Sequence, residues 1–459
     1  MNIVWFKRDL RIEDHAPLLL ASQKGPVIPL YILEPDLWKE PDLSYRQYIF
    51  LKESLLSLQV SLKNIGSSLT IKVGPATSIF ETFIKRHSAI TIWSHQETWN
   101  LWTYKRDIAL RSLFKQYHIQ WNEIPQHGVI RRLSDRDGWS KKWYNMMSQP
   151  VLSPLKHLQS PTLYSEPIPE AVTLGLSDPG YTQQQVGGRP QGLNYLDTFF
   201  NARGKNYTTA MSSPLHAFTS CSRLSPYLAF GCLSIKEVFQ RGQKDLHTVT
   251  HSTLPKDEKK DWLQSIRSLL KRLRWHCHFI QKLEDSPSIE YRNMHHAYDT
   301  YREKTLNTHY LTAWEEGRTG YPMVDACMRA LKSTGWINFR MRAMLMSFCS
   351  YHLWLHWKIP ALFLAKQFVD YEPGIHYSQV QMQSGTTGIN TLRIYNPIKQ
   401  GLDHDPNGDF VRQWIPEIAH LPGPTIHTPW EYPLLRNAAY PDPIIDEKIA
   451  RKKSSRYFI

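Results

Sequence analysis

The hydrophobic pattern of this chain changes period once, and that change constrains the fold more than any single motif. Over roughly the first 125 residues, short apolar runs alternate with helical patterns, as in a parallel sheet with helices on its faces. The runs at Asn2–Phe6, Val27–Leu33, Leu69–Val73, Ala89–Ser94 and Gln120–Ile124 predict five strands. Helical patterns near Ala16–Gln23, Tyr45–Ile65, Thr77–His87 and Leu101–Tyr117 fall between them. No G-x-G-x-x-G follows the first run, so a dinucleotide fingerprint is absent there. From Leu193 onward the period is helical: Trp262, Ile266, Leu269, Leu273, Cys277 and Ile280 recur every three or four residues, as do Met341, Leu345, Phe348 and His352. Between Ser160 and Gly192 the stretches SPTLYSEPIPE, SDPGY and QQQVGGRPQG have the proline, glycine and glutamine content of a surface connection. The expected architecture is an α/β domain with a five-stranded, Rossmann-like parallel sheet over residues 1–130, a connector over 131–195 and an all-α domain over 196–459.

A chain of 459 residues exceeds one compact core, and 41% hydrophobic content with mixed charge is globular. The net charge of +14 points to a polyanionic partner, nucleic acid before membrane, although a generally basic enzyme would share it. The five cysteines form no C-x-x-C pair and are expected to be reduced thiols of a cytoplasmic protein. The opening MNIVWFKRDLRIEDH has no apolar signal region, and no apolar run approaches the ~20 residues of a membrane span. A soluble, cytoplasmic monomer is expected, with no metal site, no internal repeats and a frayed basic tail, RKKSSRYFI.

Between Gly317 and Pro416 the chain pairs arginines, carboxylates and tryptophans at spacings that core packing does not require. The segments are GRTGYPMVDACMRALKSTGWINFRMRAMLMSF, FVDYEPGIHYSQVQMQSG, LRIYNP and GDFVRQWIP. They resemble the flavin-binding domain of the photolyase/cryptochrome family, whose members do chemistry with light. WFKRDLR at the start and WTYKRDIALR at Trp102–Arg111 resemble that family's N-terminal domain, which holds an antenna pigment. The resemblance implies FAD in the helical domain, with UV-damaged DNA as the partner. A second, antenna-type chromophore stays open: Trp102 and Thr103 replace the pair that recognises folate in some relatives, which leaves another pigment or none. No cysteine lies beyond Cys349, which argues against the four-cysteine iron–sulfur cluster of other relatives.

Carried over position by position, Tyr207 lies at a FAD-contacting tyrosine. Cys221, Ser222, Arg223, Leu224 and Ser225 match the turn that holds the diphosphate, with Cys221 in place of a threonine. Free amides and a helix dipole suit an anion there; taken alone, SRLSP also fits a helix N-cap before proline. Arg342 and Asp370 match an ion pair beside the isoalloxazine ring. Glu372 stands where the family has a second aspartate, at the ring's pyrimidine edge. His376 faces flavin N5, where its protonation would set the charge of a radical flavin. His276 replaces an arginine that contacts phosphate.

Photolyases flip a damaged dinucleotide out of the duplex into a pocket over the flavin. Trp275 matches a wall of that pocket, and stacking on a base contributes ~1–3 kcal/mol. Arg267, Lys271 and Arg274 beside Arg272 form a basic helix face for phosphates, or a solvated face. Arg340 and Arg393 match positions near the DNA backbone. Arg272 replaces the pocket glutamate; Phe339 and Ala343 replace an asparagine and a methionine, and Met382 replaces a second tryptophan. The family's tryptophan chain keeps only its middle member, Trp357, with Val380 at the proximal position and Lys304 at the distal one. Trp336, Trp354 and Tyr377 could supply another route. Three functions follow: a light-driven FAD-dependent DNA photolyase, a cryptochrome-like photoreceptor with little or no repair, and a single-stranded nucleic-acid binder.

Overall fold

The computed structural model describes the whole chain except residues 88, 182, 303–305, 390–392, 436–437 and 457–459. All five expected strands form: β1 (Asn2–Phe6), β2 (Val27–Leu33), β3 (Thr70–Val73), β4 (Thr91–His95) and β5 (Gln120–Ile124). They make one parallel sheet in the order β3-β2-β1-β4-β5. Strand β4 starts two residues later than its apolar run, because pairing begins at Thr91 opposite Asn2 while the Ala89 carbonyl accepts from the N-terminal amine. Helices α1 (Ala16–Ser22), α2 (Tyr45–Asn64), α3 (Ala76–Arg86) and α4 (Leu101–Gln116) follow the predicted patterns to within a residue at each end.

The two-residue period of β1 sorts its side chains into different cores. Ile3 and Trp5 face α3 and α4, where Phe80, Phe83, Leu110 and Phe114 complete a core belonging to this domain alone. Val4 and Phe6 face α1 and α2, and their core runs on without a break through Tyr227, Phe230 and Trp336 of the helical domain. Each large side chain buried there contributes about 1.5–3 kcal/mol, so the sheet's inner face is also the domain interface.

Backbone hydrogen bonds lock that interface. Leu10 N–H donates to the Phe230 carbonyl (3.3 Å), and the Arg11 guanidinium donates to that of Gly231 (2.9 Å). Gly231 has φ +66°, and a Cβ there would lie 2.2 Å from the Arg8 carbonyl oxygen, so the close approach requires glycine.

In the helical domain the helix Lys256–Asp285 buries the face predicted for it, from Trp262 to Ile280. Helix Pro373–Ser384 crosses it at Gly374, where a Cβ would lie 2.6 Å from Ile280 Cα. No helix among the described residues is long and apolar enough to cross a membrane. The five cysteines are free and buried.

Two segments differ from expectation. The connector is not only a surface wrap. It contains a helix, Trp139–Met147, whose Trp143 packs edge-on to Phe239, and Gln185 and Gly187 are wedged against α2 and the turn at Arg223. The basic tail is not frayed as far as it is described. Residues 451–456 continue the helix Glu447–Arg456, because the Ser454 hydroxyl is buried against the Tyr351 carbonyl.

Candidate functional site

Helix Phe339–Ser347 presents Arg342 to Asp370, which sits in the loop before helix Pro373–Ser384. The pair is bidentate, Nη1 to Oδ1 at 3.0 Å and Nη2 to Oδ2 at 2.9 Å. The remaining guanidinium edge donates from Nε to the Ile337 carbonyl (2.8 Å), and its face lies 4.1 Å from the Phe368 ring. Such fork-to-carboxylate geometry fixes both side chains. The loop is held by the first domain: Gln47 at the start of α2 donates to the Ala365 and Phe368 carbonyls, and Ser44 donates to that of Lys366.

Glu372 caps the following helix and is enclosed. Burial pushes its carboxyl up to about 8, with Arg8 pulling the other way, and its Oε1 has no hydrogen-bond partner. One turn on, His376 Nε2 donates to the Ala361 carbonyl (2.9 Å). Burial pushes the imidazole down to about 4. The ring is therefore neutral, with Nδ1 left as an acceptor.

The turn at Cys221–Ser225 is bent by Arg223, whose φ is +59°. Among the described residues, the backbone N–H groups of Ser222, Arg223, Leu224 and Ser225 meet no acceptor. The helix that follows, Ser225–Ala229, is too short for the expected dipole to matter, so anion affinity there rests on the turn's own amides. The Arg223 side chain is used structurally: it bonds Gln185 and lies 4.1 Å over Trp336. Arg203 gathers the carbonyls of Cys221, Ser222 and Tyr195. Burial raises the Cys221 thiol to about 12, leaving it a weak donor. Tyr207 is buried against Phe199, its hydroxyl beside Arg272.

The rim lies above. Trp275 is 37% exposed and Phe339 44%. The Arg272 guanidinium sits 4.7 Å from the Trp275 ring and Lys271 Nζ 5.4 Å from it. Met211 ties both sides together, its sulfur 3.8 Å from Arg272 and its carbonyl accepting from Asn338 (3.0 Å). Arg267 and Arg393 are exposed, Arg340 and Met382 half-buried, and Ala343 is buried. Arg340 stacks 5.8 Å from Tyr395. Arg274 is turned away, toward Ser140 and Tyr144 of the connector. His276 faces the domain interface, lining a void with Arg8, His127 and Glu372.

Trp357 is buried, donating to Asn293 (2.7 Å), with Tyr377 at 6.3 Å and His356 stacked at 5.5 Å. Trp336 belongs to the Arg223 cluster and Trp354 stacks under Arg302. Lys304 lies outside the described residues.

At the sheet's switch point, between the C-terminal ends of β1 and β4, an α/β fold offers a ligand crevice. Here Arg8 fills it, stacked 4.1 Å from Trp99 and 4.5 Å from Phe230. Arg106 lies beside it in a cage of Glu34, Glu97 and Asp107. Voids of about 30 and 40 Å³ remain, room for water and not for an aromatic pigment. Asp9, His15 and His95 also converge there, at ligand spacing for a cation. His15 Nδ1 accepts the Leu18 N–H, so its Nε2 carries the proton given to Asp9. That donor is not free for a metal, and the trio is a closed hydrogen-bonded cluster.

Sequence reasoning missed Asn338, whose buried Oδ1 is unpaired, as well as Arg8 and Arg203. Asn338 was within reach, flanked by motif residues in WINFRMR; the two arginines act only through tertiary contacts.

Comparison with known proteins matches both halves of this geometry. Residues 2–149 fit the family model described as DNA photolyase, and residues 269–458 fit the FAD binding domain of DNA photolyase. The chain is 26% identical to a deoxyribodipyrimidine photo-lyase of Vibrio cholerae over 100% of this chain and 99% of that one. It is 29% identical to cryptochrome-2 of Arabidopsis thaliana over 98% of this chain and 77% of the relative. The fold superposes on the crystal structure of a bacterial class III photolyase from Agrobacterium tumefaciens with TM-score 0.85 at 26% identity, covering 100% and 96% of the two chains. With its sheet domain and its helical domain both matched, the chain belongs to the photolyase/cryptochrome family and carries that family's FAD-binding domain.

Proposed function

We propose that the protein is a blue-light-driven, FAD-dependent DNA photolyase acting on UV-induced pyrimidine photoproducts, as a monomer in the cytoplasm. The rim carries this reading. A tryptophan 37% exposed stands beside Arg272 and across Met211 from an exposed Phe339. Two partly exposed aromatics on either side of Arg272 offer faces on which a planar base can stack.

The residues present suit a flavin dinucleotide. The unpaired amides of Ser222, Arg223, Leu224 and Ser225 offer a nest for its diphosphate, with Tyr207 beside them. Arg342 and Asp370 flank the ring. Glu372, protonated at neutral pH, offers its hydroxyl to the ring's polar edge, and the orphaned Oε1 offers an acceptor. His376 presents a neutral acceptor nitrogen, its one N–H given to the Ala361 carbonyl. Bound and reduced, FAD supplies the electron that light transfers to the photoproduct and recovers it after bond cleavage. The chain's part is to stack the flipped base on Trp275 and direct the Arg272 N–H groups at its carbonyl oxygens, where negative charge develops. The cations Arg267, Lys271, Arg340 and Arg393 would neutralise flanking phosphates.

One observation favours a photoreceptor with little or no repair: Phe339, Ala343 and Met382 make the pocket wall apolar, and relatives of both kinds match this chain. The test is to reduce the protein chemically and illuminate it on DNA carrying defined pyrimidine dimers or (6-4) photoproducts. Light-dependent restoration of either supports repair; bound FAD with neither lesion restored gives the photoreceptor the lead. Arg272→Ala should lower the repair rate by roughly 10²–10³-fold, and undiminished repair in that variant would remove Arg272 from the mechanism.

A further inference from the structure

The turn at residues 221–225 keeps its amides open because the other end of each peptide group is held. In a trans peptide the C=O of one residue and the N–H of the next point in opposite directions. The open N–H groups of Ser222, Arg223, Leu224 and Ser225 are therefore aimed by the carbonyls of Cys221, Ser222, Arg223 and Leu224. Every one of those carbonyls is engaged. The Arg203 guanidinium donates to Cys221 and Ser222, the Leu228 N–H to Leu224 (3.0 Å), and Gln185 Nε2 to Arg223 (2.9 Å). Of these donors only Gln185 comes from the connector. Its Oε1 also accepts from Arg223 Nε (3.1 Å). One buried side-chain amide thus closes on both the backbone and the side chain of a residue with φ +59°, a left-handed conformation unfavourable for an arginine.

The segment carrying Gln185 is itself anchored. Gln184 donates to the Arg46 carbonyl (2.9 Å), Gly187 N–H to Glu53 (2.6 Å) and Gly188 N–H to Ser54 (3.0 Å), all on α2. The Tyr227 hydroxyl donates to the Val186 carbonyl (2.8 Å). Residues 184–188 therefore strap α2 to the turn.

We propose that Gln185 is a positioning residue for the flavin diphosphate, and that connector residues 184–188 are coupled through it to flavin occupancy. This rests on reading the turn as the diphosphate nest. Without the Gln185 bond the peptide between Arg223 and Leu224 can rotate and carry the Leu224 N–H out of the nest. Coupling is reciprocal, so bound FAD should in turn hold the connector closed.

Flavin-free parent and Q185M are titrated with FAD in the dark. Methionine keeps the side chain's length and loses both bonds, and FAD affinity should fall by roughly 5–150-fold. The two phosphorus NMR resonances of bound FAD should shift while the visible absorption of its ring does not. Q185E restores the acceptor for Arg223 Nε but not the donor to its carbonyl, and should fall between Q185M and the parent. It carries the same test if Q185M does not fold. Hydrogen exchange of the parent separates this proposal from the reading beneath it: FAD should slow exchange at residues 222–225 and at 184–188 alike. No slowing at 222–225 removes the diphosphate from the turn and overturns both. Slowing at 222–225 alone, variant affinity equal to the parent's, or an affinity loss with unmoved phosphorus resonances overturns the proposal and leaves the turn's assignment standing.

Discussion

Glu372→Gln isolates the perturbed carboxyl of the proposed flavin site. The side chain keeps its shape and loses only the ability to ionise. In the folded chain the Glu372 carboxyl holds its proton to about pH 8, against 4.5 ordinarily. At about 1.4 kcal/mol for each tenfold change in proton affinity, the full interval corresponds to about 5 kcal/mol. Water entering on ionisation reduces that, and about 3 kcal/mol is a reasonable realised value. Between pH 4.5 and 8 the unfolded chain has released this proton and the folded chain has not. Stability therefore falls as pH rises through that window and levels off above it. His376 works in the opposite sense between pH 4 and 6.5, because it is neutral when folded and would be protonated when unfolded. Parent and variant share His376, so the difference between them reports Glu372 alone. For 459 residues the entropy of unfolding is about 1 kcal/mol per degree. The Tm of flavin-free E372Q should thus draw level with the parent near pH 4.5 and exceed it by about 3 °C at pH 8.5. A Tm difference that does not change with pH, or one that turns in the parent's favour as pH rises, would refute the assigned protonation state.

Asp370→Asn leaves Arg342 without its counter-ion, 4.1 Å from the Phe368 ring; a stability loss of about 3 kcal/mol and reduced FAD retention are expected, read from Tm and the ratio of visible to ultraviolet absorbance. Trp275→Ala should weaken binding to photoproduct DNA by roughly 5–150-fold while FAD content is unchanged; affinity equal to the parent's would remove Trp275 from the pocket wall. Gly231→Ala forces a Cβ to within 2.2 Å of the Arg8 carbonyl at a left-handed φ, and should cost on the order of 3 kcal/mol; a Tm within a degree of the parent's would show that the interface yields.

The elements most legible in the sequence are those whose side chains face one environment along their whole length. Strands β1 and β2 are bounded to the residue because almost every position is buried, and the Trp262–Ile280 stripe because one helix face is. The pattern fails where neighbours decide. Trp139, Trp143 and Met147 recur every four residues, a helix signal overridden by the proline- and glycine-rich stretch that follows them. The tail is mean polar and docks through Ser454, a residue with no hydrophobic signature. Site residues divide in the same way. The Arg342–Asp370 pair is bidentate across 28 positions of sequence, which no local period reveals and only a family motif suggests. Arg223 and His276 occupy motif positions, but the partners that fix their side chains come from the connector and the sheet domain.

Those partners give the sheet domain a task that needs no pigment. Its crevice is occupied by Arg8, clamped between Trp99 of its own domain and Phe230 of the other, with its Nε–H donated to the Ala229 carbonyl (2.9 Å). Burial disfavours the charge of a guanidinium so enclosed, and Glu372, once ionised, is the largest influence opposing that burial. The influence is reciprocal: Arg8 is the largest force lowering the Glu372 carboxyl against its burial. Gln47 and Ser44 meanwhile tie α2 to the Ala365–Phe368 carbonyls, just ahead of Asp370. The sheet domain thus holds the loop ahead of Asp370 and opposes the burial of the Glu372 carboxyl, the two carboxyls of the proposed flavin site. Loosening the interface should therefore change the flavin site before it unfolds either domain, which makes loss of FAD, and not loss of secondary structure, the first sign of damage in Gly231→Ala.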